Sequence, residues 1–261
     1  MHKNDKSDRN NPFYRKTKAP KEELTFPVRL NKFVARSGIT SRRKAVDLIK
    51  EGKVLVNQEV VVEPFHLVEE GDVVTYEGRQ LTPEIERIYI LLNKPKDTIC
   101  TTSDEKGRKT VFDIIDFTGK ERLFPVGRLD RHTTGLLLLT NDGDLAMKLS
   151  HPSHKVQKRY LVKLDKPISQ AHLDQIKAGI ELEDGLAPVQ NLEIVDEIGK
   201  ELLISIVIGR NRIVRRIFEH CNYVVEHLDR VFYGGLTKKG LGRGKYRTLN
   251  SREVIMLKHF V

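Results

Sequence analysis

From Val28 onward the apolar residues fall three and four positions apart, with Leu30, Phe33 and Val34 on one face. That spacing predicts a helix, which Ser37-Gly38 stops. A second helix is expected from Thr40 or Ser41, with Ala45, Val46, Leu48 and Ile49 inside and Gly52 at its end. Three short apolar runs then read as strands: Val54 to Asn57, Val60 to Val62 and Asp72 to Tyr76. Glu77 to Arg87, containing Gly78 and Pro83, breaks the rhythm and reads as a linker.

Beyond it the pattern changes. Ile88 to Leu92 predicts a buried strand, Thr110 to Ile115 a short helix, and Leu123 to Val126 an apolar lead into a polar loop. Leu136 to Leu139 reads as a strand buried on both faces and ended by an Asn141-Asp142-Gly143 turn, with a helix over Asp144 to Leu149. Arg159 to Leu164 alternates, putting Tyr160, Val162 and Leu164 on one side. An amphipathic helix over Ser169 to Ala178 and strands over Ala187 to Val195 and Leu202 to Ile208 complete the series. Strands and helices mix without a regular βαβ rhythm, so the fold class is α+β. The expected organisation is an arm over 1–27, a small α-β domain over 28–76, a linker over 77–87 and a larger mixed-sheet domain over 88–261.

Composition narrows the partner. A net charge of +10, from 46 Lys plus Arg against 36 Asp plus Glu, favours a polyanion, either nucleic acid or anionic lipid. No apolar run approaches the ~20 residues of a membrane span and the N-terminus lacks an apolar signal core, so no membrane partner and a cytoplasmic location are expected. Cys100 and Cys221 have no metal-ligand or CxxC spacing, and no GxGxxG fingerprint occurs. No metal and no cofactor are therefore expected. The arm to Pro27 carries Lys3, Lys6, Arg9, Arg15, Lys16, Lys18 and Lys21 among few apolar residues and reads as disordered. It could add non-specific RNA affinity or be an inert tail.

The basic residues are also unevenly placed. Arg29 to Lys53 holds eight Lys/Arg against two Asp/Glu, whereas Val54 to Ile90 holds two Arg against eight acids. Arg42-Arg43-Lys44 opens the second helix, where the macrodipole favours anions, so a bound phosphate would relieve an unfavourable arrangement. Lys32, Arg36, Arg42, Arg43, Lys44 and Lys53 are the candidate RNA contacts, against the alternative of a solvated charged face. Arg210-Asn211-Arg212-Ile213-Val214-Arg215-Arg216 concentrates four arginines that could line an anionic groove, with one or two turned inward to a carboxylate.

Between Gly127 and Gly143 lies Gly-Arg-Leu-Asp-Arg-His-Thr-Thr-Gly-Leu-Leu-Leu-Leu-Thr-Asn-Asp-Gly, in which Asp130 sits between Arg128 and Arg131 just before the buried strand. On composition alone a surface ion pair is an alternative. The stretch resembles the catalytic motif of the pseudouridine synthases, in the RsuA and RluB branch, and residues 28–76 resemble the small RNA-binding domain named after ribosomal protein S-four. The resemblance implies isomerisation of a uridine to pseudouridine with Asp130 as nucleophile or base. It implies that Tyr160 lies by the uracil as a stacking ring or late general base, that Arg215 pairs with Asp130 beside the aliphatic Val214, and that Arg128 fills the gap left by the extruded nucleotide. Arg210 and Arg212 fall to the RNA groove. Two departures stand out: Asp97 replaces the glycine common after the Lys94-Pro95 motif, and Ile213 replaces a glutamine. The expected partners are ribosomal RNA, more of the large-subunit than the small-subunit type, and ribosome assembly intermediates, met by a monomer. A non-catalytic assembly factor would leave Asp130, Tyr160 and Arg215 unexplained, and a carboxylate-pair hydrolase lacks a second acid beside Asp130. Leu228-Asp229-Arg230 echoes the Leu-Asp-Arg of the central motif without its flanks, which favours a structural or RNA-contacting Asp229.

Overall fold

The computed structural model describes residues 25–83, 86–102, 104–116 and 123–259, so the basic arm up to residue 24 lies outside the described residues. The chain divides into two units, one ending at Arg87 and the other running from Ile88.

The N-terminal unit runs through β1 (Val28–Arg29), α1 (Leu30–Arg36), α2 (Arg42–Lys50), β2 (Val54–Val56), β3 (Glu59–Val60), β4 (Leu67–Val68), β5 (Val74–Tyr76) and β6 (Arg79–Gln80). The first helix starts two residues later than Val28, because Val28 and Arg29 pair with Val68 and Leu67. Ser41 caps α2, its Oγ accepting from the Lys44 amide at 3.3 Å. Ala45 and Ile49 from α2 meet Leu30, Phe33 and Val34 from α1 in one core with Val54, Val56 and Val74. The antiparallel sheet has the order β3-β2-β5-β6. Its last strand falls inside the segment read as a linker: Glu77 and Gly78, both at positive φ, make a two-residue hairpin turn, and Leu81 is buried in this core. Gly78 is thus a hairpin signal rather than a sign of loose chain.

The C-terminal unit comprises β7 (Tyr89–Lys94), β8 (Phe124–Pro125), β9 (Thr134–Thr140), α3 (Gly143–Ser150), β10 (Lys158–Leu164), α4 (Gln170–Ala178), β11 (Ile180–Leu182), β12 (Gly185–Ala187), β13 (Asn191–Ile194), β14 (Glu201–Ile206), α5 (Ile213–His220), β15 (Val225–Tyr233), β16 (Leu236–Thr237), β17 (Tyr246–Thr248) and α6 (Ser251–His259). The main sheet has the order β13-β14-β10-β15-β9-β7-β17. Its pairs are antiparallel except β9 with β15, which is parallel. The fold is therefore α+β with a mixed sheet. Leu136 to Leu139 are all 0% exposed, with Leu137 and Leu139 in the core that holds α4 and α5 and the alternate pair turned to the opposite face. Asn141-Asp142-Gly143 is a helix start: Asp142 Oδ1 accepts from the Leu145 amide at 3.1 Å, and Oδ2 accepts from the buried Tyr89 hydroxyl at 2.7 Å.

Candidate active site

Asp130 lies on the loop that enters β9. Two features fix that loop. Gly135 sits at φ +105 against β15, where an added Cβ would come within 2.3 Å of the Arg230 carbonyl oxygen, so only glycine permits the parallel β9–β15 contact. Leu129 is buried beside Cys100, whose sulfur accepts from the Leu129 amide at 3.5 Å and lies 3.4 Å from its carbonyl. Asp130 and Arg128 are exposed on either side of it. Both line an open cleft of about 360 Å³ together with Cys100, Thr101, Asp104 and Arg108. Arg108 holds the Asp104 carboxyl down to about 2 through paired hydrogen bonds at the cleft wall. Among the described residues no side-chain donor bonds the Asp130 carboxylate.

Tyr160 on β10 and Val214 on α5 belong to the same buried cluster as Leu129, so the sheet and the helix bring their residues to one core. Tyr160 lies opposite Arg230 of β15 and Ile204 of β14. Arg215, next to Val214, is half-buried, and its Nη1 donates to the Val225 carbonyl at 2.6 Å. Burial lowers its pKa, as does Arg212, while the negative charges of Asp130 and Glu219 act the other way. Asp130 and Arg215 thus sense each other's charge without the direct ion pair expected from sequence, because the guanidinium is committed to the start of β15. Ile213, in the glutamine position, packs into the core.

The other arginines of this run are occupied. Arg216 grips Asp184 with two bonds, at 2.6 and 2.9 Å, and holds its carboxyl at about 2. Arg210 donates to Gly185 O at 2.7 Å, and Arg212 pairs with Glu219 at 2.8 Å. In the N-terminal unit Arg42, Arg43 and Lys44 are exposed at the start of α2, Lys32 and Arg36 are partly exposed, and Lys53 pairs with Glu51 at 2.7 Å.

Four further residues, none of them given a role at the site from sequence, stand out in the structure. Lys94 is 0% exposed, and its Nζ donates to Pro95 O, Arg131 O and Thr133 O at 3.1, 3.2 and 2.8 Å. Asp97 takes the left-handed conformation, φ +60, which favours glycine, and its carboxylate reaches Arg131 and His132, each at 3.2 Å. Lys158 is pushed down to about 8 by burial, with Arg230 adding to the effect. Arg230, 3% exposed, donates from Nε to Leu136 O at 2.7 Å and lies 4.7 Å above the Tyr233 ring, while its Nη2 has no hydrogen-bond partner among the described residues. In the sequence Lys94 stood only as part of the Lys94-Pro95 motif at the end of an apolar run, with no sign that it would be buried. Asp229 is engaged by Thr134 at 2.7 Å, Arg243 at 2.8 Å and Lys238, which makes it a structural anion.

Two family models match the chain: RNA pseudouridylate synthase over residues 88–220 and the S4 domain over residues 28–74. A Bacillus subtilis protein named ribosomal large subunit pseudouridine synthase B is 42% identical over 234 residues, spanning 88% of this chain and 95% of its own length. A Vibrio cholerae protein of the same name is 36% identical, spanning 89% and 75% of the two chains. An RNA pseudouridine synthase of Aquifex aeolicus is 42% identical over 239 residues, spanning 88% and 93%. A crystal structure of a pseudouridylate synthase superposes with a TM-score of 0.65 at 32% identity, covering 88% of this chain and 99% of its own.

Proposed function

Because the chain belongs to the RNA pseudouridylate synthase family, we propose that it isomerises a specific uridine of large-subunit ribosomal RNA in the cytoplasm, with Asp130 as the reacting carboxylate. The observation that carries this reading is the Asp130 loop itself, which presents at an open cleft a carboxylate that no described side chain bonds, while the backbone on either side of it is anchored at Leu129 and Thr133. The large-subunit target rests on the relatives named for that substrate.

The chemistry assigned to each residue follows from its surroundings. The N-glycosidic bond of the uridine breaks with its electron pair going to N1, the uracil rotates, a bond forms from C5 to C1′, the C5 proton leaves, and N1 takes up a proton. Asp130 either adds to the sugar or takes its proton, and both steps call for a carboxylate anion. Tyr160 offers a ring for the base to stack on and a phenol to accept the C5 proton. A paired uridine must leave its stack to reach the cleft, and Arg128, exposed beside Asp130, is the side chain to occupy the vacancy. Val214 packs the base of the site. Phosphate contacts are assigned to Arg42, Arg43 and Lys44, with Lys32, Arg36 and Lys53 around them. Arg210 and Arg212, being tied to Gly185 and Glu219, are weaker candidates for the groove.

The test is to map pseudouridine in ribosomal RNA from a deletion strain and to restore it with the wild-type gene. Loss of one large-subunit site, returned by the wild-type gene and not by Asp130→Asn, is the expected result. A missing small-subunit site would move the substrate assignment, and an unchanged map would reduce the protein to an RNA binder.

A further inference from the structure

Asp97, which replaces the glycine common after the Lys94-Pro95 motif, meets the two side chains that follow Asp130 in the chain. Its Oδ1 lies 3.2 Å from Arg131 Nε and 3.2 Å from His132 Nδ1, so a guanidinium and an imidazole converge on one oxygen. The backbone beneath them is held by directed bonds. Arg131 O accepts from the Asp97 amide at 2.9 Å and from Lys94 Nζ at 3.2 Å, and the Thr133 amide closes the turn on Asp130 O at 3.0 Å. The side chains of Asp97, Arg131 and His132 are each more than half exposed. Ion pairs so open to water contribute little, and another anion can take the place of the carboxylate at small cost.

We propose that Arg131 and His132 form a subsite for a backbone phosphate of the RNA substrate, and that the Asp97 carboxylate occupies it in the free protein as a resident counter-anion. The proposal rests on Asp130 being the reacting carboxylate of an RNA-modifying enzyme. With the sugar of the reacting uridine at Asp130, the phosphates bonded to its 3′ and 5′ oxygens lie within one nucleotide of that carboxylate, beside the residues that flank it. Arg128 precedes Asp130 at the cleft, and the exposed Arg131 and His132 follow it. A phosphate presents several acceptor oxygens, so it can meet both donors without the sharing that a single Asp97 oxygen imposes. Arg131 supplies the fixed charge, and His132 donates from Nδ1 in the tautomer that carries its proton there.

The acid at position 97 therefore lowers RNA affinity without closing the cleft. A strand gains the Arg131 contact only by displacing the carboxylate, so the bond that forms is offset by the one that breaks.

The experiment compares binding of oligouridylate by full-length variants. Asp97→Asn is nearly isosteric, tolerates the left-handed backbone at φ +60 and keeps the amide that bonds Arg131 O. It should bind the probe about two- to fivefold more tightly than wild type, the ratio that matches the strength of an exposed ion pair. Its salt dependence should steepen by up to about 0.7 units of slope, as for one single-strand phosphate contact no longer compensated. At about 0.15 M salt, fields from exposed charges are screened beyond about 8 Å, so the gain should largely vanish when Arg131 and His132 are both replaced by Ala. Asp97→Gly, which also suits the backbone, should reproduce the gain and so exclude a new contact made by the asparagine.

Unchanged affinity in both Asp97 variants, or no binding by any variant, overturns the proposal. So does a gain of equal size with Arg131 and His132 absent, which would be a general effect of charge. Failure of the underlying reading looks different: Asp130→Asn would form product, whatever Asp97 does to binding.

Discussion

Asp97 and Arg131 are joined twice: the Asp97 amide donates to the Arg131 carbonyl at 2.9 Å, and the Asp97 carboxylate forms an ion pair with Arg131, 3.2 Å from its Nε. The first bond needs only the left-handed backbone that a glycine would adopt more easily; the second needs this particular side chain. Because the pair is half exposed, the carboxylate contact adds little.

Asp97→Gly should therefore shift unfolding free energy by less than about 0.5 kcal/mol, with relief of backbone strain offsetting a screened ion pair. Asp97→Val forces a β-branched residue to positive φ and should cost about 1–2 kcal/mol. Equal melting temperatures for the two variants would show that this turn does not depend on its backbone conformation.

The two Leu-Asp-Arg sequences should separate cleanly. Asp130→Asn is expected to abolish pseudouridine formation with RNA binding and stability retained. Asp229→Asn should keep turnover in the folded protein and lose about 2 kcal/mol, less than the ~3–5 kcal/mol of a fully buried pair, because Lys238 and Arg243 lose their shared anion. Burial alone would raise the Asp229 carboxyl, but hydrogen bonds from Arg243, Lys238 and Thr134 outweigh it and hold the group below its ordinary value. Its contribution is therefore complete above about pH 4 and lost as pH falls through the lowered folded value. The stability gap between wild type and Asp229→Asn, measured by urea unfolding, should narrow in acid; a gap constant with pH would refute the ionic origin.

Arg215→Met removes the cation nearest in sequence to the α5 end of the site together with a bond to Val225 O. The single-turnover rate should fall by about 10- to 100-fold with little change in RNA affinity, as expected when a charge acts on the reacting carboxylate. Arg215→Lys should recover part of the rate. Arg210→Met, which breaks only the Asp184 and Gly185 contacts, is the control, and a larger rate loss there would transfer the role to the wrong end of the arginine run.

Replacing Arg42, Arg43 and Lys44 together by Ala should weaken RNA binding and flatten its salt dependence by about 2 units of slope, at about 0.7 per single-strand phosphate. Titrations at several salt concentrations measure it directly, and an unaltered slope would mean that this end of α2 faces only water.

Local order in this chain is written in neighbouring residues. The three-and-four spacing of Leu30, Phe33 and Val34, the Ser41 cap, the run Leu136 to Leu139 and the alternation through Tyr160 and Val162 each specify an element from contacts within a turn or a strand. The stretch around Asp130 was legible through its continuous resemblance to a family motif, whereas its composition alone left a surface ion pair as an alternative. Other features depend on residues far apart in the chain. Gly135 is obligatory because β15 arrives parallel to β9 from 95 positions away, bringing the Arg230 backbone against it. Lys94 becomes a buried tether only when β7 and β9 pair and present Arg131 and Thr133 to it, 37 and 39 residues on. The arginine run read as a groove is largely tied to Asp184, whose position depends on where the β11–β12 hairpin docks against α5, and to Glu219 on α5 itself. Periodicity reports which face of an element is apolar; which strand lies beside it, and which buried charge finds a carbonyl, is decided by the closing of the sheet.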